Sequence, residues 1–169
     1  MTETTTLRTL LQPELEAELA TTRRILAAVP DGHGEFKCHE KSMSLAKLAG
    51  HVAEMPAFTA LLLTSPDLDL GAPGGPPPFV HATNAQTLAA YDAFADTCLT
   101  AFKNTSDQTF EQKWNLVYGD YKIYSGTRYN AYRSFGINHL IHHRAQLGVY
   151  LRLLGIPVPK TYGPSADEM

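Results

Sequence analysis

Apolar positions recur at spacings of three and four along most of the chain, and the intervals where that rhythm fails mark its loops. Leu7, Leu11, Leu15, Leu19, Thr22 and Leu26 form the first stripe. It predicts a helix from about Leu7 to Val29, ended by Pro30 and Asp31-Gly32. Pro13 falls inside this stripe and removes one backbone bond, so a start near Gln12, with Pro13 in the first turn, is the alternative. His33 to Ser42 is polar and aperiodic. Ser44 is then the expected N-cap of a second helix reaching about Leu63, with Leu48, His51, Met55, Phe58 and Leu62 on one face. Thr64 to Thr83 is rich in Pro and Gly, including Gly74-Gly75-Pro76-Pro77-Pro78, and reads as a long crossover loop. A third helix, from an Asn84 cap to about Lys103, aligns Leu88, Tyr91, Ala95, Cys98 and Phe102. Between Trp114 and Tyr124, Gly119-Asp120 separates two β-prone runs and allows a short hairpin. The last helix runs from about Tyr129 to Leu154 and stops at Gly155, with Pro157 and Pro159 beyond.

Four amphipathic helices with one long connection predict an all-α four-helix bundle, its short hairpin placed before the last helix. An α/β sheet lacks the strands it would need. Composition agrees: 169 residues, 44% hydrophobic and 18% charged, suit one domain over residues 1–169. The formal net charge of −3, with Lys and Arg dispersed, offers no broad field for nucleic acid or anionic lipid. No basic segment precedes an apolar run near Met1, and no apolar run approaches bilayer length. A cytoplasmic protein is expected. Cys38 and Cys98 form no CxxC pair, as expected of a reducing compartment; Cys98 should pack in a helix, while Cys38 lies in a polar loop.

Candidate chemistry gathers on the last helix. At about 100° per residue, Tyr132, His143, Gln146 and Tyr150 fall within roughly 40° of His139, and Phe135, Leu153 and Leu154 flank that stripe. Residues four apart lie about 5–6 Å apart at Cβ, which lets His139 and His143 reach one ion. His51, inward on the second helix between Leu48 and Met55, is the natural third ligand. A hydrogen-bonded core histidine is the bland alternative at each position. His142 points to the other side of His139 and takes a rim position, while His33, His39 and His81 fall in loops and are expected to be solvated. His39 could approach the open end of the bundle. Arg144 lies off the ligand stripe and is expected in a surface ion pair. Three neutral imidazoles leave coordination positions open, as in a catalytic site. Zn²⁺ is the first choice of ion, with Ni²⁺, Fe²⁺ and Mn²⁺ also acceptable.

The run Asn138-His139-Leu140-Ile141-His142-His143-Arg144-Ala145-Gln146-Leu147 continues through Tyr150-Leu151-Arg152 and Gly155-Ile156-Pro157-Val158-Pro159 to Tyr162-Gly163-Pro164-Ser165-Ala166-Asp167-Glu168. This last third closely resembles the DinB/YfiT-like family of metalloenzymes. The resemblance implies a four-helix bundle in which a histidine of the second helix and a His-x3-His pair of the fourth bind the metal, a pattern matched by His51, His139 and His143. Ala145 stands where many relatives carry Gly, a small-for-small change. Some relatives use the metal with a low-molecular-weight thiol, as in bacillithiol transferases and mycothiol-dependent maleylpyruvate isomerases.

The leading expectation is therefore a metal-dependent transferase acting on a small molecule with a thiol cofactor, and a homodimer in assembly. Gln146, Tyr150 and His142 are candidates to orient a bound water or substrate. Metal-assisted hydrolysis is the second reading; it needs a general base, and Glu54 sits only at the edge of the triad. A non-catalytic, stress-related dimeric bundle is the third.

Overall fold

A computed structural model of the chain describes residues 6–74 and 78–168. Gly75, Pro76 and Pro77 of the expected crossover lie outside the described residues. The fold is mostly helical, with a small sheet. Helices α1 (Leu7–Ala27), α2 (Leu45–Thr64) and α3 (Asn84–Lys103) match the periodic segments closely.

The alternative start of α1 at Gln12 is not taken, and the cause is local. Thr6 and Thr9 cap each other reciprocally, and Asp107 Oδ2 accepts the Leu7 N–H at 3.0 Å. First-turn donors are thereby satisfied upstream of Pro13, so the helix runs through the proline. The cap of α3 is Thr83, which accepts from the Gln86 N–H, and not Asn84. Asn84 instead donates its side-chain amide to the carbonyls of Leu26 and Val29, tying the start of α3 to the end of α1.

The segment expected to be only a loop contributes β1 (Leu68–Asp69). A short α4 (Asp107–Glu111) precedes β2 (Lys113–Tyr118) and β3 (Tyr121–Thr127), which form the expected hairpin around Gly119, at φ +55°. β1 pairs parallel with β2, giving the order β1-β2-β3. Two carboxylates hold β1 there. Asp67 Oδ1 accepts from the Asn115 N–H and side-chain amide, each at 2.8 Å, and Asp69 Oδ1 accepts from the Gly119 N–H at 2.9 Å. The β2–β3 register skips Ile123, since Val117 pairs with Lys122 and Leu116 with Tyr124. Such a bulge bends the strand and redirects side chains.

The last helical stretch is not uniform: α5 (Arg128–Ala131) leads into a π-helical segment (Tyr132–Asn138) and then α6 (His139–Leu153). The wider π turn changes the phase between Tyr132 and His139. Tyr132 therefore leaves the histidine face and is buried against Phe102 and Phe110, with ring centroids 5.7 Å away in each case. Leu153, expected beside the ligand stripe, is exposed.

The core forms where α2 packs against α3 and α6 while α1 packs against α2, α3 and α6. Leu15, Leu26, Leu48, Leu62, Tyr91, Cys98, Phe102, Leu147 and Leu151 are buried there, so Cys98 packs as expected. Two close approaches set the position of α2. A Cβ on Gly50 would meet the Phe79 carbonyl oxygen at 2.1 Å, so only glycine lets the chain before α3 cross the helix at this point. A Cβ on Gly136 would meet Thr59 at 3.3 Å, so this glycine brings the π segment close to α2. Among the described residues no helix is long and apolar enough to cross a membrane.

Candidate metal centre

His51 comes from the second turn of α2, and His139 and His143 from the first turn and a half of α6. One nitrogen from each ring can be chosen so that all three lie within 4.8 Å of one another. Ring centroids are 5.3 Å apart for His51 and His139, 4.5 Å for His51 and His143, and 4.6 Å for His139 and His143. This group could hold a divalent metal ion.

Hydrogen bonds on the far sides of the rings sharpen that statement. His51 Nδ1 donates to Glu54 Oε1 at 3.2 Å, and Glu54 Oε2 accepts the Phe79 N–H at 2.9 Å. His143 Nδ1 donates to Gln146 Oε1 at 2.9 Å, while the Gln146 amide donates to His142 Nε2 at 3.0 Å. With Nδ1 serving as donor in both rings, Nε2 of His51 and of His143 carries a lone pair. The His143 lone pair meets His139 Nε2 only 2.8 Å away. Either a ring proton lies between those nitrogens or a cation joins them. Carboxylate and amide partners behind imidazoles are the usual means of orienting metal ligands.

Electrostatics keep the pair unprotonated. Burial, then the neighbouring rings of His143, His51 and His142, pushes His139 down to about 4. His143 is also lowered, by burial first, with Gln146 opposing. Both rings are therefore neutral at pH 7, the form that binds metal.

Two cavities of about 400 Å³ flank the triad. His51 and His139 open onto one whose walls are Phe58 and Leu61 of α2, Leu70, Leu116 and Ile123 of the sheet region, and Phe135. His143 opens onto the other, where Cys38, Lys41, Ser42, Gln146 and Tyr150 share the lining with Met43, Leu48 and Val149. There the Cys38 Sγ lies 3.4 Å from Ser42 Oγ, and the Ser42 and Tyr150 hydroxyls lower its thiol pKa. Tyr150 is itself buried, donating to the Met43 carbonyl at 2.7 Å with its ring edge-on to Phe36.

The model of the DinB family matches residues 1–169. This chain belongs to the DinB family. The DinB-family chain is 26% identical over 155 residues to the uncharacterized protein YrdA of Bacillus subtilis strain 168, covering 90% of this chain and 86% of that one. Two solved structures share its fold. A DinB-like protein from Bacillus cereus ATCC 10987 matches with a TM-score of 0.69 at 19% identity, over 93% of this chain and 98% of that chain. The DinB-like protein YjoA from Bacillus subtilis matches with a TM-score of 0.64 at 15% identity, over 91% and 99%.

Other side chains of this DinB-family protein depart from expectation. Arg144 is not a surface residue: it is 2% exposed, with Nη1 2.6 Å from Glu18 Oε2 and Nη2 donating to the Tyr162 hydroxyl at 2.8 Å. Tyr162 in turn donates to Glu18 Oε1 at 2.9 Å. The face beside the ligand stripe packs against α1 and the C-terminal segment, which helical phase alone does not reveal. His81 is not solvated either; it is buried, its Nδ1 2.7 Å from Thr87 Oγ1. His33, His39 and His142 are exposed, as expected. Glu54 lies beyond the edge it was assigned and contacts His51 directly; its i+3 spacing was the available signal. Cys38 could not be placed from sequence, because the loop carrying it has no period.

Proposed function

We propose that His51, His139 and His143 bind one divalent metal ion, Zn²⁺ first among the candidates, and that the protein is a thiol-dependent S-transferase acting on small molecules. One observation carries the reading: a nitrogen from each of the three rings lies within 4.8 Å of the others while Glu54 and Gln146 hold Nδ1 of His51 and of His143. The donor set fits, since three neutral imidazoles bind such an ion and leave positions for an exchangeable ligand. A bound ion would lower the pKa of a coordinated thiol and so supply a thiolate near neutral pH.

The chain's own residues account for the rest. Glu54 and Gln146 fix ring orientation, and His142 fixes Gln146. The cavity containing Lys41, Ser42 and Tyr150 provides polar groups for a hydrophilic thiol. In the net reaction the thiol loses its proton to water, sulfur donates a pair to form a C–S bond, and the displaced group leaves with the pair of the broken bond. Hydrolysis is less well supported because Glu54, the nearest carboxylate, has both oxygens engaged by His51 and the Phe79 N–H and is not a free general base.

Purified protein loaded with Zn²⁺ should consume a low-molecular-weight thiol in the presence of an electrophile. Consumption no faster than with His139→Ala would remove the transferase reading. Elemental analysis of wild type beside His51→Ala tests the metal separately.

A further inference from the structure

The cavity on the His51–His139 side has a chemistry unlike the rest of the site. Its polar lining is confined to one end, where His51, Glu54 and His139 lie, and the remaining wall is hydrocarbon. Three elements distant in sequence are brought there by specific devices. Asp67 and Asp69 pin β1 to β2 and so deliver Leu70. The register break at Ile123 falls opposite Leu116, and both residues reach this wall. α2 contributes Phe58 and Leu61 within three turns of His51. Leu61, Leu70 and Ile123 remain 48%, 50% and 39% exposed, so water covers an apolar surface right beside the triad. Exposed apolar surface gathered around polar groups at one end is the signature of a ligand site.

We propose that this cavity seats the hydrocarbon part of the acceptor, which is thus a small neutral molecule with an aliphatic or aromatic body and its electrophilic carbon at the His51–His139 end. Charge argues for a neutral body. Among the described residues the one carboxylate on the lining, Glu54, is already engaged, and no Lys or Arg lines the cavity to pair with an anion. The cavity beyond His143, which carries Cys38, Lys41, Ser42 and Gln146 beside its apolar wall, then receives the thiol, so the two reactants enter through different cavities. The acceptor's role rests on the transferase reading, but the seat itself can be tested without metal, thiol or turnover.

The intact protein, free of thiol, is titrated calorimetrically with neutral n-alcohols from 1-butanol to 1-octanol. Affinity should rise about three- to fourfold per added methylene until the cavity is filled. Leu61→Glu and Ile123→Lys, at exposed positions the fold tolerates, should each weaken 1-octanol binding by about tenfold or more. Leu10→Glu, a still more exposed site on α1 outside the cavity lining, should leave it unchanged. Affinity independent of chain length overturns the proposal, as does equal weakening by Leu10→Glu or none by the two cavity variants. Alcohol binding that follows chain length in a protein without transferase activity keeps the seat and removes only the reaction assigned to it.

Discussion

His143 and Arg144 are neighbours on α6, yet the polar clusters they enter are opposites. The Arg144 side is closed: Glu18, Thr22 and Tyr162 surround the guanidinium, and the tail bearing Tyr162 is clamped by the Arg152–Asp167 pair. The His143 side is open, with the outer ring nitrogens held and the inner ones facing each other between two cavities. A buried ion pair holds elements in place, and removing one partner is costly. Imidazole nitrogens gathered this closely, with His139 Nε2 and His143 Nε2 2.8 Å apart, form a group that could hold a cation. Adjacent residues therefore enter unlike surroundings, set by what packs against them and not by residue type.

The comparison can be broken at several points. The largest effect should be His139→Ala, which abolishes stoichiometric Zn²⁺ binding in a chelator competition, a loss exceeding about 100-fold. Without metal the same variant should melt within about 4 °C of wild type, because the open cluster adds little stability. Arg144→Ala should do the reverse. It leaves Glu18 buried and unpaired, at a cost of about 3–5 kcal/mol in urea unfolding, and Glu18→Leu with Arg144→Met should recover most of it. An intermediate effect belongs to Glu54→Gln, which keeps an acceptor for His51 but loses the charge; Zn²⁺ affinity should fall about tenfold while the fold is retained.

A pH dependence is confined to the open cluster. His139 titrates at about 4 in the folded chain, below the ordinary 6.5, chiefly through burial and then through its histidine neighbours. Between those values the unfolded chain takes up a proton that the folded one refuses, so stability falls as pH drops from 6.5 to about 4 and levels off below. Urea midpoints of metal-free wild type should therefore decline relative to His139→Ala across that window, and parallel curves would show that His139 is not held neutral by the fold.

Much of this was legible from residue order. The i, i+4 pair His139 and His143, and His51 between Leu48 and Met55 on another amphipathic helix, needed only helical periodicity to be brought to the same interior. The hairpin followed from Gly119-Asp120 between β-prone runs. Tyr132 was misplaced because the phase calculation assumed uniform α-helix, and the π segment beginning at that residue alters the angle per residue. Arg144 and His81 were misread for a common reason: charge and loop position suggest water, whereas partners remote in sequence, or reached through a turn, replace it. β1 escaped notice because a two-residue strand has no period to detect.

Sequence alone thus determined the first three long helices with their buried faces and the gathering of three histidines, because each depends on repeats a few residues long and on the exclusion of apolar side chains from water. Tertiary structure decided which residues stand behind the three histidines, which charge is sealed away, and that the triad borders one cavity walled almost wholly by hydrocarbon and another that also carries Cys38, Lys41 and Ser42. Those features come from contacts between segments far apart in the chain, such as Glu54 with Phe79, Glu18 with Arg144 and Asp69 with Gly119. Their geometry exists only once the chain has closed on itself.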